Sequence, residues 1–285
     1  MRRSLIVLTG LIVLGAGTVG IAPAWWVKGH ESVAEAAAAG LPDAMPAFFR
    51  AGGKHLAHFA GDPDRWKNPS AAYLRAAIAP DHYIDLEDYE GNDLPADRYK
   101  AASLVARLRK SPARAGMLPY AIMEHYDMLS CAFKDYRDDP TNPAIHMKCL
   151  VYAGILSHYT GDLAMPLHTT KDYDGRKGPD GKFAQRGIHA KIDAFPEKND
   201  FTPEEICRGL QAKEIANVWE HVNKSILESH SHIDKCYELD AAGAFDKPTP
   251  ESREFIMQRC RVAAQLTMDL WYSAWQRSAT MPAHY

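Results

Sequence analysis

The stretch NPAIHMKCLVYAGILSHYTGDLAMPLH, Asn142–His168, decides the fold class. Asn142-Pro143 opens a helix, because proline is tolerated at the first helical position. From there Ile145, Cys149, Tyr152, Leu156, Tyr159 and Leu163 recur at steps of four and three, and the adjoining face, Val151 and Ile155, is apolar too. A helix apolar over so much of its circumference belongs at the centre of a helical assembly. It carries His158 and Asp162 into that interior one turn apart, on one face. Pro166 then ends the helix and turns the chain, so that His168 points back toward the same cavity.

Helical signals continue on both sides. Thr202-Pro203-Glu204-Glu205 is a capping box with proline at the first position, and Thr249-Pro250-Glu251 opens a helix in the same way. The spacing predicts a long amphipathic run after each: Ile206, Leu210, Val218, Val222 and Ile226 in the first, and Ile256, Cys260, Ala263, Leu270 and Ala274 in the second. Shorter helices are expected at 29–39, 69–78, 99–110 and 117–136. No alternating strand pattern exceeds a few residues, and 84–97 and 168–187, rich in Gly, Asp and Lys, read as irregular. The expectation is an all-α fold, a single-domain multi-helix bundle over residues 25–285 around a metal cleft.

The chain has 285 residues and begins Met1-Arg2-Arg3, followed by an apolar stretch and Ala22-Pro23-Ala24, the small-residue pattern that a signal peptidase cuts after. Leu5 to Ala24 is also about the 20 residues that span a bilayer, but Gly10, Gly15, Gly17 and Gly20 weaken that helix. Cleavage before Trp25, with export to the periplasm or beyond, is the reading. Loss of Arg2 and Arg3 takes the formal charge from −3 to −5, so no overall basicity advertises a polyanionic partner. Five cysteines, Cys131, Cys149, Cys207, Cys236 and Cys260, allow up to two disulfides in an oxidising compartment and are too widely spaced for a cysteine zinc cluster. Cys149 and Cys260 sit on apolar stripes, where a buried small hydrophobe is an equal reading.

His189-Ala-Lys-Ile-Asp193 repeats the His-x-x-x-Asp geometry of His158 and Asp162. A lone histidine on an apolar helix is more often a hydrogen-bonded core residue than a ligand. Two such pairs together with His168 argue for metal, because buried carboxylates without cations are costly and the nearest basic residues, Lys171 and Lys191, are too few to neutralise the set.

His158-Tyr-Thr-Gly-Asp162-Leu-Ala-Met-Pro-Leu-His168 resembles the signature of the superfamily that unites bacterial zinc-dependent phospholipases C with single-strand-specific fungal and plant nucleases of the S-one/P-one type. Trp25-x-x-x-Gly29-His30, Asp64-Arg-Trp-Lys67, Asp81-His82-Tyr-Ile-Asp85 and His189-x-x-x-Asp193 extend the resemblance over Trp25 to Asp193. It implies three zinc ions: one held by Asp64, His82, His158 and Asp162, a second by His168, His189 and Asp193, and a third by the terminal amine and carbonyl of Trp25 with His30 and a bridging Asp162. Asp62 rivals Asp64 for the first site. The activity implied is hydrolysis of a phosphodiester by a zinc-activated hydroxide, with Asp64 and Asp162 at the catalytic centre and no serine or cysteine nucleophile.

The five-residue step from Trp25 to His30 resembles the nucleases, as does His82-Tyr-Ile-Asp85, which would give Asp85 the hydrogen bond to a nucleobase. Two stretches depart from the nuclease pattern. Gly187-Ile precedes His189 where an Asn is usual, and Asp174-Gly-Arg-Lys-Gly178 replaces a Gly-Gly-Asn. Single-stranded nucleic acid is the expected substrate, with a phospholipid headgroup and a non-enzymatic secreted zinc-binding protein as the alternatives. Tyr83, Trp66 and Tyr173 read either as stacking platforms or as packing, and Lys171, Arg176, Lys177 and Lys182 as a phosphate-steering loop or a solvated one.

Overall fold

Helix starts fall where local chemistry puts them. Asn142 caps the central helix, Pro143–Ala164, by accepting from the Ala144 amide at 3.0 Å. The capping boxes form at Thr202 with Glu205 and at Thr249 with Ser252, the latter opening the longest helix, Pro250–Ser278. These elements come from a computed structural model that describes residues 27–282; the leader and Trp25 lie outside the described residues. Among the described residues the fold is all-α apart from one two-stranded ribbon. No helix among the described residues is long and apolar enough to cross a membrane.

The central helix is buried at every residue from Ala153 to Ala164. It packs against Leu118–Asp138, Pro250–Ser278 and Gly53–Ala60, while the first helix, Val27–Ala39, lies across Gly53–Ala60 and Pro250–Ser278. Trp271, fully buried on the long helix, donates from its indole nitrogen to the Ala153 carbonyl at 3.0 Å and meets Phe49 edge-on. Burial of an aromatic this large, with its one donor satisfied, contributes several kcal/mol. Gly154 lets the central helix cross Gly53–Ala60 closely, since a Cβ there would lie 2.8 Å from the Leu56 carbonyl oxygen and 2.5 Å from the Phe59 side chain.

The helices expected at 29–39, 69–78, 99–110 and 117–136 are present as Val27–Ala39, Ala72–Ile78, Arg98–Arg107 and Leu118–Asp138. The run from Ile206 to Ile226 is not one helix. Pro203–Cys207 stops before Gly209, whose φ of +76° leaves the helical region. The chain then runs irregularly along the C-terminal helix, with the Lys213 amide on Asp269 and the Ile215 amide on the Ser273 hydroxyl, until Asn217 caps Val218–His230. Side chains of the long helix there satisfy a backbone that periodicity alone reads as helical. The 168–187 segment, read as irregular, contains the ribbon, Arg176–Lys177 antiparallel to Phe183–Ala184. All five cysteines are free, so neither of the two disulfides that the composition allows is formed. Cys149, Cys236 and Cys260 are instead buried in the packing of the two apolar clusters.

One short segment ties the site to the bundle. After Ala72–Ile78 the chain makes a 3-10 turn, Ala79–His82, then an extended piece in which Ile84 bridges Gly116. The Met117 amide donates to Pro80 O, the Asp85 amide to Ala115 O, and the Ile84 amide to His168 O. Gly116 has φ +81°, and a Cβ on it would stand 2.1 Å from Tyr83 O, so only glycine allows this crossing.

Candidate metal centre

The imidazoles are oriented by backbone carbonyls, which accept hydrogen bonds and cannot donate them. His158 Nδ1 lies 2.8 Å from Ala60 O, and His168 Nδ1 lies 2.7 Å from His82 O. In each neutral ring the proton therefore sits on Nδ1, and Nε2 presents its lone pair to the interior. His158 Nε2 faces His82 Nδ1 at 3.0 Å and Asp162 Oδ2 at 3.2 Å, with His82 Nδ1 itself 3.0 Å from Asp162 Oδ2. His168 Nε2 faces His189 Nε2 at 3.0 Å, and His189 Nε2 is 3.0 Å from Asp193 Oδ2.

Asp162 joins the two halves. Its Oδ1 is 3.4 Å from His168 Nδ1 and 3.6 Å from His30 Nε2. His30 stacks on His158, with ring centroids 3.9 Å apart. Asp64 stands 3.9 Å from both His82 Nδ1 and His158 Nε2, whereas Asp62 is bonded to Arg65 at the outer face. Asp64, and not Asp62, thus stands among the grouped donors. The donors fall into three groups able to hold a metal ion: His30, Asp64 and His158; His82, His158 and Asp162; and His168, His189 and Asp193. His30 reaches the first of these beside Asp64, as well as lying near Asp162. Its expected partner Trp25 lies outside the described residues.

These groups fit a cation. Asp162 Oδ1 and Asp193 Oδ1 are buried without a hydrogen bond, a cost that a divalent ion would offset. Burial holds His30 down at about 3, and burial with the nearby Lys67 charge holds His82 at about 4, so both rings are neutral and able to ligate at pH 7. Burial also lowers His168. Burial opposes protonation of His158 as well, but Asp162 and Asp64 outweigh it and raise that ring. Asp162 is held well below the usual carboxylate range because His158 and His168 outweigh its burial. Burial pushes Asp193 up, and Asp193 raises His189 against the burial of that ring.

Sequence reasoning missed the counter-charge. Lys67 Nζ lies 2.5 Å from Asp64 Oδ1, while Lys191 is turned away to Asp240 and Asp246. An i,i+3 spacing on the short helix Asp62–Trp66 and its cap was the available signal. Asp174 was missed as well: its Oδ1 accepts from the Gly187 amide at 2.7 Å and the His189 amide at 3.4 Å, fixing the start of helix Ile188–Asp193.

A cavity of about 660 Å³ opens over His82, His168 and His189, and Tyr83, Asp85, Lys171 and Tyr173 line it, as do Lys67, Arg114 and Arg186. The expected basic loop is only partly there. Lys171 borders the cavity, whereas Arg176 pairs with Asp234 and covers Tyr237. Trp66 packs against the core instead of lining the cavity. No protein-family model matches the chain, and no curated protein matches it.

Asp85 gives the cavity wall a pH dependence. Burial, reinforced by Glu87 and Asp88, raises its carboxyl from its ordinary 3.8 to about 8. Between those values the metal-free folded protein keeps a proton that the unfolded chain has released. Its stabilising contribution is complete below pH 4 and is lost progressively as pH rises from 4 to 8. Asp85→Asn should therefore stabilise the metal-free protein by about 1 kcal/mol or more at pH 9 and hardly at all at pH 3.5. Urea titrations at the two pH values measure this, and a difference independent of pH would show that the carboxyl is not perturbed.

Proposed function

We propose that this chain is an exported zinc-dependent phosphodiesterase acting on single-stranded nucleic acid, of the type unified with the zinc-dependent phospholipases C. The observation that carries this reading is the convergence of His168 Nε2, His189 Nε2 and Asp193 Oδ2 at the floor of an open cavity. Three His/Asp donors with a cavity above them leave room for a further ligand, the arrangement of catalytic rather than structural zinc. Histidine and aspartate donors suit zinc among the first-row metals, and the resemblance of the ligand pattern makes zinc the metal, and three the number of ions, that we assign. When bound, zinc acidifies coordinated water to a pKa of about 7 and polarises a phosphoryl oxygen.

The chain's own residues supply the rest. Asp162 belongs to both halves of the centre and, with Asp64, keeps the excess positive charge small enough for a phosphodiester to bind and leave. Lys67, Lys171, Arg114 and Arg186 place cationic groups around the cavity for the flanking phosphates. Tyr83 and Tyr173 offer ring faces for a base, and Asp85 stands beside them as the group for its polar edge.

Zinc content and hydrolysis test the reading together. The zinc-loaded chain starting at Trp25 should hold about three ions and cleave single-stranded DNA and RNA. Phosphatidylcholine as the preferred substrate would move the assignment to the phospholipases, and one ion or fewer without turnover would leave a zinc-binding protein. A chain starting one residue earlier, at Ala24, should bind one ion fewer and lose most activity, because the nitrogen of Trp25 then sits in a peptide bond with its lone pair delocalised. Equal zinc content in the two chains would remove the terminal amine from the ligand set.

A further inference from the structure

Arg98, seventeen residues from Asp81, makes three hydrogen bonds at the foot of the segment that joins the two halves of the centre. Its Nη1 donates to Asp81 Oδ1 at 2.6 Å, and Nε and Nη2 donate as a fork to the two oxygens of Glu124 at 2.7 Å each. Asp81 belongs to the 3-10 turn Ala79–His82, and Glu124 belongs to the core helix Leu118–Asp138. The guanidinium therefore fixes that turn to the bundle. His82 follows Asp81 directly and serves both halves at once. Its Nδ1 faces His158 and Asp162, and its carbonyl accepts from His168 Nδ1. A shift of the turn would move a donor of one group and the tautomer-setting acceptor of the other.

The same helix supports His82 from a second side. His125, next to Glu124, stacks on Tyr159 at 5.3 Å, and Tyr159 meets the His82 ring edge-on at 5.5 Å. That contact is apolar and permits sliding. The fork of Arg98 is directional, and its planar geometry is one that a lysine cannot reproduce. We propose that Arg98 is a positioning residue for the metal centre, holding the Ala79–His82 turn so that His82 orients both metal groups together.

This rests on the metal reading above, and the test separates the two. Zinc affinity is measured by competition with a chromogenic chelator on the full mature chain, well below the melting temperature of each metal-free protein, for wild type, Arg98→Lys, Arg98→Gln and Glu124→Gln. Loss of an outer hydrogen-bonding partner of a metal ligand costs roughly 10–100-fold in affinity. Arg98 acts one step farther out, through Asp81 and its turn, so Arg98→Gln should lose up to about 10-fold in the His82 group and in the His168 group alike. Arg98→Lys should recover little of it although the charge is kept, and Glu124→Gln, which leaves the Asp81 bond in place, should lose only a few-fold. Should Arg98→Gln fail to fold, the lysine variant carries the same comparison. Melting temperatures lowered with zinc affinity unchanged would make Arg98 a stability residue only and overturn the proposal. A wild-type chain that binds no zinc would instead defeat the metal reading itself.

Discussion

On the zinc-hydrolase reading proposed above, Asp162→Asn should strip zinc from both halves of the centre and reduce phosphodiester hydrolysis to background while the helices remain folded. The side chain is fully buried, with Oδ2 close to His82 and His158 and Oδ1 close to His168 and His30. Asparagine preserves the volume and removes the charge. The loss of zinc affinity should exceed the roughly 100-fold upper range seen when only a supporting partner is removed, because here a donor itself is lost. The metal-free variant offers a second readout with a definite sign. Burial lowers His158 and Asp162 is the first of the charges that raise it. Without that carboxylate only Asp64 is left to oppose burial, and His158 should titrate lower than in the wild type, as NMR of the ring protons would show. Near-normal turnover, or a His158 titration unchanged from the wild type, would mean that Asp162 is not the shared carboxylate.

Local signals made much of this molecule readable from its sequence. The central helix announced itself through Pro143 and its apolar recurrence, and the two His-x-x-x-Asp pairs are adjacent on one helical face for geometric reasons alone. Their convergence, together with His168 beyond Pro166, is what the structure contains. What could not be read involves partners without a side-chain signature. Ala60 O and His82 O decide which nitrogen of His158 and His168 is available, yet any residue type supplies a carbonyl. Arg98 meets Asp81 and Glu124 across gaps of 17 and 26 residues, a pairing no periodicity reports. The break at Gly209 was misread because Ile206, Leu210, Val218 and Val222 keep helical spacing across an irregular segment held by Asp269 and Ser273. There, tertiary hydrogen bonds outweigh a pattern of period 3.6.

Gly161→Ala reverses the ordinary rule for glycine in a helix. Mid-helix, alanine is favoured over glycine by about 1 kcal/mol, and Gly161 lies inside Pro143–Ala164 between Thr160 and Asp162. A Cβ at this position, however, would stand 2.6 Å from His30 Nδ1 and 2.9 Å from its Cε1. His30 is fully buried and stacked on His158, so the ring cannot yield without disturbing the neighbouring donor. Overpacking of this kind costs about 1–3 kcal/mol, which outweighs the gain in propensity. The variant should be less stable than wild type without metal and should bind zinc more weakly at the His30 group than at the His168 group. In a His30→Ala background the clash disappears, and the same Gly161→Ala change should then stabilise the protein by up to about 1 kcal/mol. The change of sign between the two backgrounds, read by urea unfolding of the four proteins in a double-mutant cycle, isolates the contact. Additive effects would show that Gly161 is present for some reason other than the close approach of His30.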